Sequence, residues 1–165
     1  MTICYFGDYD PNYARSRVLL KGLRENGVEV LECHSDKNGV GLYWDLYKKH
    51  KTIKGKYDIL FVAQSWHSRL IWLAKLLSPK KVVWDAFYSF YDKYAFDNKT
   101  ISPYGLRGWY LWLIEWFACR FADVILLDTN EHIKYFVEIF GARKNKFIRV
   151  LIGADDSVFY PRETI

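Results

Sequence analysis

The chain has 165 residues, 51% of them hydrophobic, and a net charge of +5. That length suits one domain with its own core, and an aromatic content of 19% excludes intrinsic disorder. The positive charge attracts phosphates without choosing among nucleic acid, nucleotide and anionic lipid.

No apolar run reaches the roughly 18 residues that a membrane-spanning helix needs. The longest, Trp109 to Phe117, is interrupted by Glu115. Thr2 to Phe6, directly after Met1, has the character of a strand and not of a signal peptide. Cys4, Cys33 and Cys119 show neither metal spacing nor a CxxC motif. Buried free thiols in a reducing compartment account for them, so a cytoplasmic protein is expected.

In chain order, Thr2–Phe6 is a predicted buried strand. Tyr13–Asn26 is helical, with Val18, Leu19, Leu20 and Leu23 facing inward and Gly27 as its stop. Val28–Cys33 is the second strand. Leu42–His50 is a short amphipathic helix that trails into Lys48, Lys49, Lys51, Lys54 and Lys56. Ile59–Ala63 is the third strand, Trp66–Leu77 a helix ended by Ser78-Pro79, and Lys81–Trp84 the fourth strand. Asp85–Tyr104 has no clear periodicity and is expected to be a long loop. Gly105–Phe121 is a helix apolar on most faces, Val124–Leu127 the fifth strand, and Phe147–Ile152 the sixth. Between the last two lies a helix, Glu131–Phe140, capped by Asp128 or Thr129 and ended by Gly141.

Short apolar strands that alternate with helices specify a parallel sheet with both faces covered. Right-handed crossovers make it an α/β, Rossmann-like doubly wound domain of about six strands. Ligands in such folds bind beyond the carboxyl ends of the strands. The candidate loops are therefore Gly7–Asn12, His34–Asn38, Gln64–His67, Asp85–Tyr104, Asp128–Asn130 and Gly153–Ser157. A loop as long as Asp85–Tyr104 is usually functional or mobile.

The first loop lacks GxGxxG and GxxxxGK[ST], which argues against a dinucleotide-dependent dehydrogenase and a P-loop enzyme. Asp8 and Asp10 would also repel a diphosphate there. Arg15, in the first turn of the helix that follows, is a candidate anion contact, whereas Arg17 fits a solvated helix face. After the third strand, His67 is a candidate base or sugar ligand, weighed against a surface or capping histidine. Trp66 suits either stacking on a sugar or packing beneath its loop. His34, His50 and His132 fit structural or solvated positions.

The aromatic centre is Phe87 to Phe96 together with the helix at Trp109 to Phe117. A helix apolar on nearly all faces is normally buried, so this one is assigned to the core and the loop aromatics to ligand contact. The lysine run from Lys48 to Lys56 fits an anionic phospholipid surface, at roughly 1 kcal/mol per residue, or a solvated linker. No RNP-type strand or helix-turn-helix accompanies it, so no nucleic-acid partner is expected.

Several phrases carry a resemblance. Asp10-Pro11, Arg15-x-Arg17, Leu23, Gly27 and Glu29-Val30 resemble the opening of GT4-type glycosyltransferase N-terminal domains. Tyr57-Asp-Ile-Leu-Phe-Val is similar to that family's third strand. Phe121-Ala-Asp-Val-Ile-Leu-Leu-Asp-Thr-Asn resembles its "ADxVIxxS" phrase, and Gly153-Ala-Asp155-x-x-x-Phe159-x-Pro161 its "NGVDxxxFxP". The order is right and nearly the whole chain is covered. Phe87 stands where the family often has a histidine near the donor sugar, so that contact passes to Tyr88, Tyr91 or Asp92 or is lost. The family's glycine-rich first loop is reduced to Gly7.

The resemblance implies the acceptor-side half of a GT-B architecture. Residues 1–157 would form the domain and residues 158–165 the start of a link to a donor-binding domain outside this chain. The whole enzyme would move a sugar from a nucleotide-sugar to a glycan, lipid-linked or small-molecule acceptor, with retention and without metal or other cofactor. Gly7, Asp8 and Arg15 are the donor-proximal candidates. Trp66, His67, Asp85, Phe87, Tyr88, Tyr91 and Asp92 are the acceptor candidates, and Gly153 and Asp155 face the second domain. The implied location is cytoplasmic, with peripheral contact to an anionic membrane surface as a further partner. The competing reading is a free-standing Rossmann-like binding or scaffold domain without activity.

Overall fold

The computed structural model describes residues 1–64 and 68–154. Ile3 to Phe6 are buried on both sides of the chain, because their strand, β1 (Thr2–Gly7), is interior and paired on both edges. One neighbour is β2 (Glu29–His34) and the other is β3 (Ile59–Val62). Beyond β3 come β4 (Lys81–Phe87), β5 (Val124–Leu127) and the edge strand β6 (Phe147–Arg149). The six strands run in the order β2-β1-β3-β4-β5-β6, and every pairing is parallel. This is the α/β, Rossmann-like sheet that the alternating pattern specifies.

The direction of crossover reverses once, at β1, so the two faces are covered unequally. Helix α1 (Ala14–Glu25) packs Leu19, Leu20 and Leu23 over Ile3, Tyr5 and Phe61 on one face. Helices α2 (Val40–Ile53), α3 (Leu70–Leu77), α5 (Leu106–Phe121) and α6 (Asn130–Phe140) all lie on the other. There the larger core gathers Phe6, Leu60, Trp84, Ile125 and Phe136. Beside α1, the first face is crossed by the segment after β6. Gly153 approaches α1 so closely that a Cβ would lie 2.7 Å from Val18 Cγ1.

Two expectations need correction. The segment after the fourth strand is not a bare loop. β4 continues to Phe87, and the chain then forms a short helical turn α4 (Phe90–Asp92) followed by a π-helical turn, Lys93–Asp97. Ser89 caps that turn by accepting from the Asp92 amide at 3.0 Å. The reason is Glu115, whose carboxylate accepts from Ser89 Oγ at 2.6 Å and from the Phe90 amide at 2.7 Å. A carboxyl group that accepts from those otherwise unpaired donors lets an aperiodic sequence adopt an ordered shape.

The second correction concerns α5. Assigned to the core for its apolar faces, it buries Gly108, Glu115, Ala118 and Cys119, while Leu106, Trp109, Tyr110, Leu113 and Phe121 are exposed. The helix is turned by what its narrow face must fit. A Cβ on Gly108 would meet the Ser102 carbonyl oxygen at 2.4 Å, so only glycine allows the preceding loop to fold back on the helix. Glu115 then points inward, and burial pushes its carboxyl up to about 7 against the opposing pull of the Ser89, Phe90 and Tyr91 hydrogen bonds. Helix α2 is also longer than its apolar pattern implies and carries Lys48, Lys49 and Lys51 on its last turns.

Candidate functional site

The reversal of strand order at β1 opens a crevice between the carboxyl ends of β1 and β3, where this class of fold places its ligands. Gly7 closes β1 there with a φ of 145°, which L side chains rarely adopt. Asp8 follows, half-buried. Next along the edge, Arg15 reaches from the first turn of α1 across to Asp85 on β4. Its Nε donates to Oδ2 at 2.8 Å and its Nη2 to Oδ1 at 2.6 Å. Arg15 is 6% exposed and Asp85 1%.

Arg15 as a donor-side anion contact and Asp85 as an acceptor contact must therefore be revised. The guanidinium fork is committed to the carboxylate, and neither charged end faces solvent. Burial pushes the Asp85 carboxyl above the ordinary range, while the Arg15 hydrogen bonds pull it back. Phe87 completes this unit, its ring 4.5 Å below the Arg15 guanidinium carbon. It holds a φ of 63° beside a register shift between β4 and β5. Strain of that kind persists only where surrounding contacts over-determine it, and the ion pair and cation–π contact supply them. Past Phe87 the chain turns sharply, with the Tyr88 amide donating to the Ala86 carbonyl at 2.7 Å.

Tyr88 and Lys93 form the next pair, with Lys93 Nζ donating to the Tyr88 hydroxyl at 3.2 Å. Asp92 lies within electrostatic reach of Asp97, Tyr135 and His132. Burial and then Asp97 push its carboxyl up, whereas Tyr135 and His132 pull it down. Tyr91 is half-buried, with its ring packed edge-on to Phe96 and Phe140. Trp66, His67 and Asp155 lie outside the described residues. Gly153 is placed against α1, as above.

One group at this edge has more chemistry than its sequence context implies. His132, expected to be structural or solvated, sits in the first turn of α6 with Nδ1 2.6 Å from Asp128 Oδ1. Asp128 directly follows β5 and is nearly buried, while the imidazole is about a third exposed. Assigning the Nδ1 proton to that bond leaves Nε2 as an acceptor. The Thr129 hydroxyl fixes the turn by accepting from the His132 amide at 3.1 Å. The available signal was the i,i+4 spacing of Asp128 and His132 across a helix start that follows a strand. Glu115, the other functional-looking carboxylate, lines a small cavity of about 100 Å³ with Arg69, Phe90, Tyr94 and Tyr110.

Among the described residues no group of three or more His, Cys, Asp or Glu side chains is arranged to hold a metal. The edge as built can orient hydroxyl-bearing ligands through His132, Asp92 and Tyr88. Its strongest internal cation, Arg15, is already neutralised.

No family model matches the sequence, and no curated protein matches it. The fold does have solved likenesses. Anabaena HepE in complex with UDP and glucose superposes with a TM-score of 0.56 at 12% identity, over 96% of this chain and 46% of that one. HepE in complex with UDP-glucose gives 0.54 at 13% identity, over 96% and 45%. What the likeness establishes is the shared fold. The chain spans about half the length of these structures.

Proposed function

We propose that this chain is the acceptor-side half of a GT-B glycosyltransferase of the GT4 type, one that moves a hexose from a nucleotide-sugar such as UDP-glucose. The observation that carries the reading is the likeness to HepE, described with UDP and glucose, along nearly the whole of this chain. The ordered phrases from Asp10-Pro11 to Gly153-Ala-Asp155 support it independently. In this reading the nucleotide is gripped mainly by a second domain reached through residues 158–165, and the donor comes to rest over Gly7 and Asp8. No cofactor takes part, and the three buried thiols fit work in the cytoplasm.

The acceptor lies along the carboxyl ends of β4 and β5. Asp85, Arg15 and Phe87 act from beneath as the rigid floor that sets the Tyr88 turn, and Tyr88, Asp92 and His132 meet the acceptor hydroxyls. Transfer proceeds with retention, so the departing diphosphate oxygen takes the acceptor proton. His132 Nε2 accepts from a neighbouring hydroxyl of the acceptor and so orients it, leaving the attacking hydroxyl's proton for the diphosphate oxygen.

The test is UDP release from UDP-glucose by the full-length gene product with a sugar acceptor, and the anomeric configuration of the product by NMR. His132→Gln should raise the acceptor KM by about tenfold, the worth of one well-placed hydrogen bond at about 1.4 kcal/mol, with donor affinity unchanged. An inverted product would overturn retention and make the Asp128–His132 pair the base. A full-length protein that neither binds nor consumes any nucleotide-sugar would leave the binding-domain reading.

A further inference from the structure

Among the described residues, two large grooves lie away from the carboxyl edge of the sheet. A groove of about 740 Å³ runs along the outside of α3 and α5, walled by Trp72, Leu73, Leu76, Tyr110, Ile114 and Phe121. A second, of about 560 Å³, continues it onto α2 through Tyr43, Leu73 and Leu76. The side chains around them are large, apolar and open. Trp44 is 57% exposed, Trp72 46% and Leu76 83%. Trp44 stacks on Tyr47 with centroids 5.5 Å apart, and Trp72 stands edge-on to Phe117 at 5.2 Å. An apolar surface of this extent on a soluble fold marks an interaction site.

The charged side chains that line the two grooves are cations, Arg69 and Lys75 in the first and Lys51 and Lys54 in the second, and of these Lys75 is paired with Asp123. Val40, Trp44, Tyr47, Lys51 and Lys54 recur on α2 and its cap at spacings that put them on one helix face, apolar first and cationic after. Lys48 lies over Trp44, its Nζ 5.2 Å from the ring centroid. Among the described residues no Asp or Glu lines either groove, and no carboxylate pairs with Lys48, Lys51 or Lys54. The flank thus offers interfacial tryptophans and tyrosines beside a row of unneutralised ammonium groups.

We propose that the α2–α3–α5 flank seats the protein on an anionic lipid bilayer. Trp and Tyr rings combine an apolar body with a polar tip and settle at the headgroup level. The lysines meet phosphate in the same plane. A second copy of the chain, brought up by a twofold axis, would set the same lysines against one another. A nucleic acid would match the lysines and leave Val40, Trp72 and Leu76 in water. Among the described residues no helix is long and apolar enough to cross a membrane, so the contact is a docking one. The inference stands whether or not the chain is half of a transferase, and its failure would leave that reading intact.

The experiment is co-sedimentation of the protein with vesicles of phosphatidylcholine alone and of phosphatidylcholine with phosphatidylglycerol, with tryptophan emission recorded alongside. Binding is expected only with phosphatidylglycerol, with a blue shift, and should weaken with salt. The triple variant Lys48→Gln, Lys51→Gln, Lys54→Gln should bind about a hundredfold more weakly, about fivefold for each lysine at about 1 kcal/mol. Trp44→Ala with Trp72→Ala should abolish the blue shift. The control Lys134→Gln, Arg143→Gln, Lys144→Gln removes equal charge from around α6 and should bind as the parent does. Three results would overturn the proposal: absent binding, equal loss in the control, or flank variants that convert a solution dimer into monomers.

Discussion

Arg15→Met removes the cation from the buried pair while keeping most of the side-chain volume. The Asp85 carboxylate, 1% exposed, is then left without its guanidinium hydrogen bonds. Because both partners are buried, solvent screening is small, and removing one member of such a pair costs about 3–5 kcal/mol. Loss of the contact over Phe87 adds about 1 kcal/mol. Against a total stability of about 5–15 kcal/mol for a domain, the variant should approach the edge of unfolding. Urea titration followed by tryptophan emission measures this directly. The double variant Arg15→Met, Asp85→Leu should recover most of the loss, because an apolar pair needs no compensation. The deficit of the single variant should also shrink in acid, since an unpaired buried carboxyl keeps its proton to higher pH than the unfolded chain does. A cost below about 1 kcal/mol for Arg15→Met, or a double variant no better than the sum of the singles, would refute the claim that this pair holds the site together.

Glu115 gives a pH dependence of known sign. Its folded value of about 7 lies above the ordinary 4.5, so between those values the folded protein holds a proton that the unfolded chain has released. Stability should therefore fall by roughly 3 kcal/mol as pH rises through that window. Glu115→Gln should flatten the fall in urea titrations at about pH 5 and about pH 8. Phe87→Gly should be less harmful than Phe87→Ala by about 1 kcal/mol in thermal or urea unfolding, since both lose the ring and only alanine keeps the strained φ of 63°. Gly108→Ala should lower the melting temperature although alanine favours helices by about 1 kcal/mol. Its Cβ would lie 2.4 Å from one backbone oxygen and 2.8 Å from another, and neither can move without displacing the loop.

The strands and most helices were legible because burial on a parallel sheet leaves continuous apolar runs. Val124–Leu127 agrees to the residue, and Gly27 and Gly141 mark the helix stops as expected. The α6 cap was legible as one of two residues, Asp128 or Thr129, and is Thr129. The site was not, because its main contacts join residues far apart in the chain. Arg15 and Asp85 are separated by 70 positions, and nothing near either one announces the other. Glu115 was visible as the break in the apolar run of α5, but periodicity cannot say that the break points inward while Trp109 points out. That orientation depends on Gly108 and on the backbone N–H groups of Phe90 and Tyr91, which lie on a turn without apolar period. The unequal coverage of the two faces follows from sheet order, which spacing alone leaves open.

The sheet order also bears on how the chain assembles as it is made. From β3 to β6, position along the chain and position in the sheet coincide. Each of these strands, on emerging, finds the partner it needs already laid down beside it, and its crossover helix lands on the same side as the one before. Only the portion from β1 to β3 departs from this rule. β1 must acquire a neighbour on one side, from β2, and then on the other, from β3. Once residue 62 has been added, the remaining growth is a one-directional extension with no strand to be inserted between existing ones, which favours folding in step with synthesis.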